Sequence, residues 1–233
     1  MRWMHLGGES DPTPSHAGPK GMDRGRRIGI ALSLLMYRQR VTGTDHVPAS
    51  GPLVVVANHS NFWDGPVLFG ALPRRVSFLI KAEAVTGPMG WLLRNVGQYA
   101  IHRDIPDRKP LLDALSQLKA GGVIGVFPEG TRGAGNVSQI SSGAGWLAAR
   151  ATAAVLPVAV RGTARPEGGG RRFRPPVRVL VGEPFVLPAG AGRTAVNAAT
   201  DLIRQRLAAL VLELDANIAL RPVPADIRAG GRP

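Results

Sequence analysis

Compact apolar runs alternate with helically spaced apolar residues along most of this chain. Leu53-Val54-Val55-Val56-Ala57 is apolar at every position, as expected of a strand covered on both faces. Val76 to Ile80, Gln98 to Arg103, Val123 to Phe127 and Val155 to Val160 read as further strands, and Val177 to Val181 as an edge strand. Between them, Pro66 to Leu72, Pro88 to Asn95, Pro110 to Lys119, Gly143 to Ala154 and Ala191 to Leu212 carry helical patterns. The first three open on a proline, which suits a first turn where the missing N–H costs nothing. Gly121-Gly122 supplies a stop for the third. The alternation predicts an α/β fold: a single domain with a largely parallel central sheet flanked by helices. No internal repeat is present.

The N-terminal stretch has a different pattern. Residues 1–25 are rich in Gly, Pro and Ser, which predicts a flexible tail, and they lack the basic start and apolar centre of a signal peptide. Arg24, Arg26 and Arg27 then lead into the apolar run from Ile28 to Tyr37, which Arg38 and Arg40 close. That run is too short to cross a bilayer as a helix, which takes about 20 residues. Its basic flanks suit a short amphipathic helix over 26–40 lying on a membrane, and a buried N-terminal helix satisfies the same pattern. The expected organisation is a tail at 1–25, the helix at 26–40, the domain at 41–220 and a second flexible tail at 221–233.

Composition narrows the classes. The chain is 44% hydrophobic and 19% charged over 233 residues, enough to build a sizeable core. With no cysteine it has no disulfide, thiolate nucleophile or cysteine metal site. The 29 Lys+Arg against 16 Asp+Glu give a formal charge of +13. Such a charge favours anionic partners: nucleic acid, a membrane surface or phosphorylated substrates. The arginines are scattered and no nucleic-acid module accompanies them, so no nucleic-acid partner is expected.

Chemistry is concentrated at the ends of the predicted strands. Asn58-His59-Ser60-Asn61-Phe62-Trp63-Asp64 follows the first strand. If a turn spans it, Asp64 returns to the imidazole, holds one ring nitrogen protonated and leaves the other to accept a proton. A local cap would use the same residues, with Asn58 as an N-cap. Ser60 lacks the glycine-flanked turn of a hydrolase nucleophile. A second loop, Phe127-Pro128-Glu129-Gly130-Thr131-Arg132-Gly133, also follows an apolar strand. Its glycines allow tight turns, Thr131 offers a hydroxyl, and Arg132 can pair with phosphate. Glu129 has no evident metal partners. Arg103 ends a third strand and adds a second guanidinium, and Lys81 is a weaker candidate for the same anionic pocket. A phosphate clamp beside a base is the arrangement these residues suggest.

These residues resemble the four sequence blocks of the glycerolipid acyltransferases, in particular the 1-acyl-glycerol-3-phosphate acyltransferases. Asn58 to Asp64 resembles the first block, Gly97 to Arg103 the second, Phe127 to Arg132 the third, and Val155-Leu156-Pro157-Val158-Ala159-Val160 the fourth, in family order. The resemblance implies that His59 is the general base and that Asp64 orients it. It assigns Arg103, Glu129, Gly130 and Arg132 to the acceptor's glycerol phosphate, and Pro157 to the vicinity of the acyl donor; Thr131, with its hydroxyl in the same loop, is counted among the substrate-binding residues. The chain departs from the family where an aromatic-lysine pair often precedes a glycine: Ile140-Ser141-Ser142-Gly143 stands there.

The implied activity is transfer of an acyl group from acyl-CoA or acyl carrier protein to the free hydroxyl of 1-acyl-sn-glycerol 3-phosphate, giving phosphatidic acid. No metal or bound cofactor is needed. The implied partners are a lysophospholipid, the thioester donor and an anionic membrane, with peripheral attachment at the cytoplasmic face. Within the same fold, glycerol 3-phosphate, another lysophospholipid or an ornithine-type lipid is an alternative acceptor. A non-catalytic basic membrane-binding protein is the alternative from another class.

Overall fold

The computed structural model describes residues 12–14, 17–84, 86–101, 108–130, 133–164, 173–188, 190 and 192–220. They form an α/β domain around a seven-stranded sheet. The strands are β1 (Arg38–Thr42), β2 (Leu53–Ala57), β3 (Val76–Lys81), β4 (Tyr99–Ile101), β5 (Val123–Val126), β6 (Ala154–Arg161) and β7 (Pro176–Val181). The helices are α1 (Pro19–Met36), α2 (Asp64–Ala71), α3 (Gly87–Asn95), α4 (Lys109–Lys119), α5 (Gly143–Ala151) and α6 (Gly192–Leu220). Strand order is β1-β7-β6-β2-β5-β3-β4. Every neighbouring pair is parallel except β6 and β7, so β1 and β7 run against the other five.

The apolar runs are explained by two-sided burial. Leu53, Val55 and Ala57 of β2 pack with Val67, Leu68 and Leu72 on one face. Val54 and Val56 pack with Leu147 of α5 and Ile203 and Leu207 of α6 on the other. Each such side chain removed from water contributes about 1.5–3 kcal/mol. β2 is central, between β5 and β6, so the loop after it emerges in the middle of the sheet's carboxyl edge. That edge is where open α/β sheets leave a crevice for ligands.

Two expectations are corrected. Val177 to Val181 lies in β7, which is interior: β6 pairs on one side and β1 on the other. The outer strand is β1, from Arg38↔Pro176 to Thr42↔Leu180, where a continuation of the 26–40 helix was expected. β1 alternates between exposed and half-buried residues, so arginines at positions 38 and 40 face solvent at no cost.

The helix itself starts earlier than expected, at Pro19, and takes in residues 19–25 of the expected tail. Met22 is buried at 1% exposure, and a Cβ on Gly25 would come within 2.2 Å of the Val96 side chain, so this turn of α1 packs tightly on the turn after α3. Asp23 accepts two bonds from Arg75, from Nε and Nη2, both at 2.8 Å. The Arg75 guanidinium bonded to it holds the Asp23 carboxyl below its ordinary value. Arg26 donates to the Leu72 carbonyl, and Arg174 to that of Leu34 at 2.6 Å. α1 is therefore fastened to the domain along its length.

Candidate active site

His59 stands two residues beyond β2, and its position is fixed from three directions. Asn58, buried, spans to β6 with its side-chain amide: it donates to the Val160 carbonyl at 3.0 Å and accepts from the Val160 N–H at 2.8 Å. This amide continues the β2–β6 ladder past its last backbone pair, a role different from the N-cap of the alternative reading. Glu129 accepts the His59 backbone N–H at 2.9 Å, and the His59 carbonyl accepts from Gly133 N–H at 3.2 Å. The imidazole stacks on Phe127, ring centroids 4.2 Å apart, and Phe127 stacks on Phe78 at 5.3 Å.

Asp64 opens α2 and is fully buried. Its Oδ2 accepts from His59 Nδ1 at 3.0 Å, Ser60 N at 2.7 Å and Asn61 N at 2.8 Å. Its Oδ1 accepts from the Thr163 hydroxyl. With a carboxylate at Nδ1, the imidazole carries its proton there, and Nε2 keeps the lone pair for a substrate proton. Ser60 Oγ lies 3.5 Å from Thr163 Oγ1, within that polar cluster.

The His59 ring opens on an apolar cavity of about 690 Å³. Ile28 and Leu32 of α1, Phe62 and Phe69 around α2, and Leu92 of α3 contribute its walls. Polar lining comes from Lys81 at the end of β3, Glu83 and Gln98. Gly130 also lines it, with φ of +74°, a backbone conformation that favours glycine. Such a space suits an alkyl chain with a polar end near a base. Among the described residues no group of three or more His, Asp or Glu side chains is placed to hold a metal ion.

Thus His59, Asp64, Glu129 and Gly130 come together. Arg103, Thr131 and Arg132 lie outside the described residues. Pro157 is apart from the cavity, buried in β6 opposite Val56. It falls between the β6–β7 ladder and the isolated Val155–Phe185 bridge, where a strand tolerates a missing N–H. Thr163 and Arg161 were not anticipated. Arg161 forms a two-pronged ion pair with Asp215 of α6, at 2.7 and 2.9 Å, and donates to the Gly135 carbonyl at 2.9 Å. The hydrogen bonds that Arg161 donates to the Asp215 carboxylate raise its pKa above the ordinary value. The arginine thereby ties the loop after Gly133 to α6. No local sequence signal marks either residue, because their partners are distant along the chain.

A parallel-sheet crevice with a carboxylate-oriented histidine facing an apolar cavity is the site of a lipid-modifying transferase. Residues 38–161 match the acyltransferase protein family. A 1-acyl-sn-glycerol-3-phosphate acyltransferase of Pseudomonas aeruginosa is 31% identical over 203 residues, spanning 83% of this chain and 76% of that protein. One of Bacillus subtilis is 26% identical over 182 residues, spanning 76% and 89%. The crystal structure of the 1-acyl-sn-glycerophosphate acyltransferase of Thermotoga maritima shares the fold, with a TM-score of 0.65 and 24% identity over 84% of this chain and 80% of that one. The chain belongs to the glycerolipid acyltransferase family, with the 1-acyl-sn-glycerol-3-phosphate acyltransferases.

Proposed function

We propose that this enzyme transfers an acyl group from a thioester donor, acyl-CoA or acyl carrier protein, to the free hydroxyl of 1-acyl-sn-glycerol 3-phosphate, forming phosphatidic acid. The carrying observation is His59, held at Nδ1 by buried Asp64 and opening on an apolar cavity. Nε2 takes the hydroxyl proton as the acceptor oxygen attacks the thioester carbonyl. The C–S bond breaks, and the imidazolium returns that proton to the leaving thiolate. Asp64 stabilises the transient imidazolium, and general-base assistance of this kind contributes about 10²–10⁴-fold.

The acceptor phosphate is assigned to the strand-end cations. Lys81 lines the cavity, Ile101 pairs beside it, and Arg103 follows two positions on. In sequence, Arg132 stands between Gly130, which lines the cavity with His59, and Gly133, which donates to the His59 carbonyl, and this supports giving it the acceptor phosphate. Glu129 supports the base by accepting the His59 backbone N–H. Pro157, assigned to the vicinity of the acyl donor, sits in β6 and not in the wall of the cavity.

Attachment is proposed to be peripheral, on an anionic cytoplasmic leaflet. No helix among the described residues is long and apolar enough to cross a membrane. α1 exposes Lys20, Arg24 and Arg27 in its first half and Leu32, Leu34 and Leu35 in its second, and Trp91 of α3 is also exposed. The test is acyl transfer by the purified chain to a panel of lysophosphatidate, glycerol 3-phosphate and other lysophospholipids, with donors of several chain lengths. Phosphatidate should dominate; robust transfer to another acceptor with none to lysophosphatidate would sink the assignment.

A further inference from the structure

We infer that Thr163 is a positioning residue for acyl transfer, acting on His59 through Asp64; this rests on the function proposed above. The two oxygens of Asp64 are held differently. Oδ2 is engaged by His59 Nδ1 and by the N–H groups of Ser60 and Asn61, all within five positions along the chain. Those bonds all meet at one oxygen and leave Oδ1 without a partner among them. Thr163 donates to Oδ1. A charge-assisted bond to the second oxygen sets the plane of the carboxylate, and with it the direction in which Oδ2 presents itself to the imidazole.

The hydroxyl is itself held firmly. Thr163 is 5% exposed and follows β6 by two positions. The end of β6 is joined to the start of the histidine loop by the Asn58–Val160 amide pair and to α6 by the Arg161–Asp215 ion pair. The turn at Gly162 has φ of +93°, and a Cβ there would lie 2.1 Å from the Pro176 carbonyl oxygen, so the backbone carrying Thr163 has little freedom. Ser60 Oγ, 3.5 Å away, is placed to donate to Thr163 Oγ1 once the threonine proton is committed to Asp64. The chain of contacts therefore runs Ser60, Thr163, Asp64, His59. Of these four residues His59 lines the cavity, and Ser60, Asp64 and Thr163 do not.

A positioning role implies a defect in turnover and not in binding. Thr163→Val keeps the shape and removes the donor; Thr163→Ser keeps the donor. Steady-state acyl transfer by the full chain, with lysophosphatidate and acyl-CoA, separates kcat from KM. The valine variant should lose about 10–100-fold in kcat, the scale of a catalytic group misplaced by about 1 Å, with both KM values within about twofold. Serine should restore kcat to within about threefold. Thermal unfolding of each variant is recorded alongside, and Thr163→Ala replaces valine if the latter does not fold. In an Asp64→Ala background, Thr163→Val should cause no further loss. Undiminished kcat in valine, a serine variant as poor as valine, a change confined to KM, or full additivity with Asp64→Ala would each overturn the proposal. If the parent chain transfers no acyl group to lysophosphatidate, the functional reading fails and takes this inference with it; an active parent with an equally active valine variant refutes the inference alone.

Discussion

Asp64 is a buried carboxylate with donors on both oxygens, so its charge is balanced by directed hydrogen bonds within the protein. Asp64→Asn tests what that charge does. The amide fits the space, but its nitrogen cannot accept from an N–H or a hydroxyl, and it offers no charge to an imidazolium. We expect kcat to fall about 10²–10⁴-fold in a steady-state assay while the circular dichroism spectrum stays that of a folded chain. A variant within a few-fold of the parent would show that His59 needs no charged partner. The His59–Asp64 pair is legible in sequence because both members sit in one turn, five positions apart. Thr163 is not, because 99 positions separate it from Asp64 and only the β2–β6 pairing brings them together. The function of Glu129 is hidden for the same reason: its partner, the His59 backbone N–H, is 70 positions away.

At the scale of elements, the aromatic stack behind His59 depends on one small residue in a neighbouring strand. Phe78 of β3 pairs with Gly125 of β5, and a Cβ on Gly125 would lie 2.5 Å from the Phe78 ring. Gly125→Ala must therefore displace the Phe78 ring, which stacks on Phe127 beside the imidazole. We expect a loss of about 1–3 kcal/mol in denaturant unfolding, as for other overpacked cores, together with reduced kcat. Unchanged stability would mean that the ring relocates freely. A second prediction concerns α1. Its pair with Arg75 depresses the Asp23 pKa, so the pair's contribution is present above the ordinary carboxylate value and is lost as pH falls through the depressed one. Asp23→Asn should lower the melting temperature at pH 7, and the gap from the parent should close on acidification below about pH 4. A gap equally wide at pH 3 would assign the effect to shape and not to charge. The inner strands are readable because two-sided burial leaves an apolar run. β1 is not, since Arg38-Gln39-Arg40 alternates at a sheet edge and reads equally well as the basic end of a helix.

Over the whole molecule the formal charge is +13, and α1 and α3 carry exposed basic and exposed apolar residues together. Leu35 is 67% exposed on α1 and Trp91 66% exposed on α3, and neighbours of both, Leu32 and Leu92, line the cavity that reaches His59. An alkyl chain beside these two helices would find exposed apolar residues next to the largely apolar wall of the cavity. Exposed Lys20, Arg24, Arg27 and Arg94 lie on the same helices, and each cation near an anionic leaflet is worth about 1 kcal/mol. The peripheral attachment proposed above would then have two separable parts, one apolar and one electrostatic. Leu35→Glu with Trp91→Glu removes the first and opposes the second. In sedimentation with anionic vesicles the double variant should bind at least about tenfold more weakly than the parent, and its unfolding midpoint should move by no more than about 2 °C, because both positions face solvent. Raising salt should weaken the parent's binding to anionic vesicles and leave a salt-resistant remainder that zwitterionic vesicles also show. Parental affinity in the double variant would move the membrane contact away from α1 and α3. Binding abolished by salt in the parent would make the attachment electrostatic alone, with the exposed leucines and Trp91 serving some other surface.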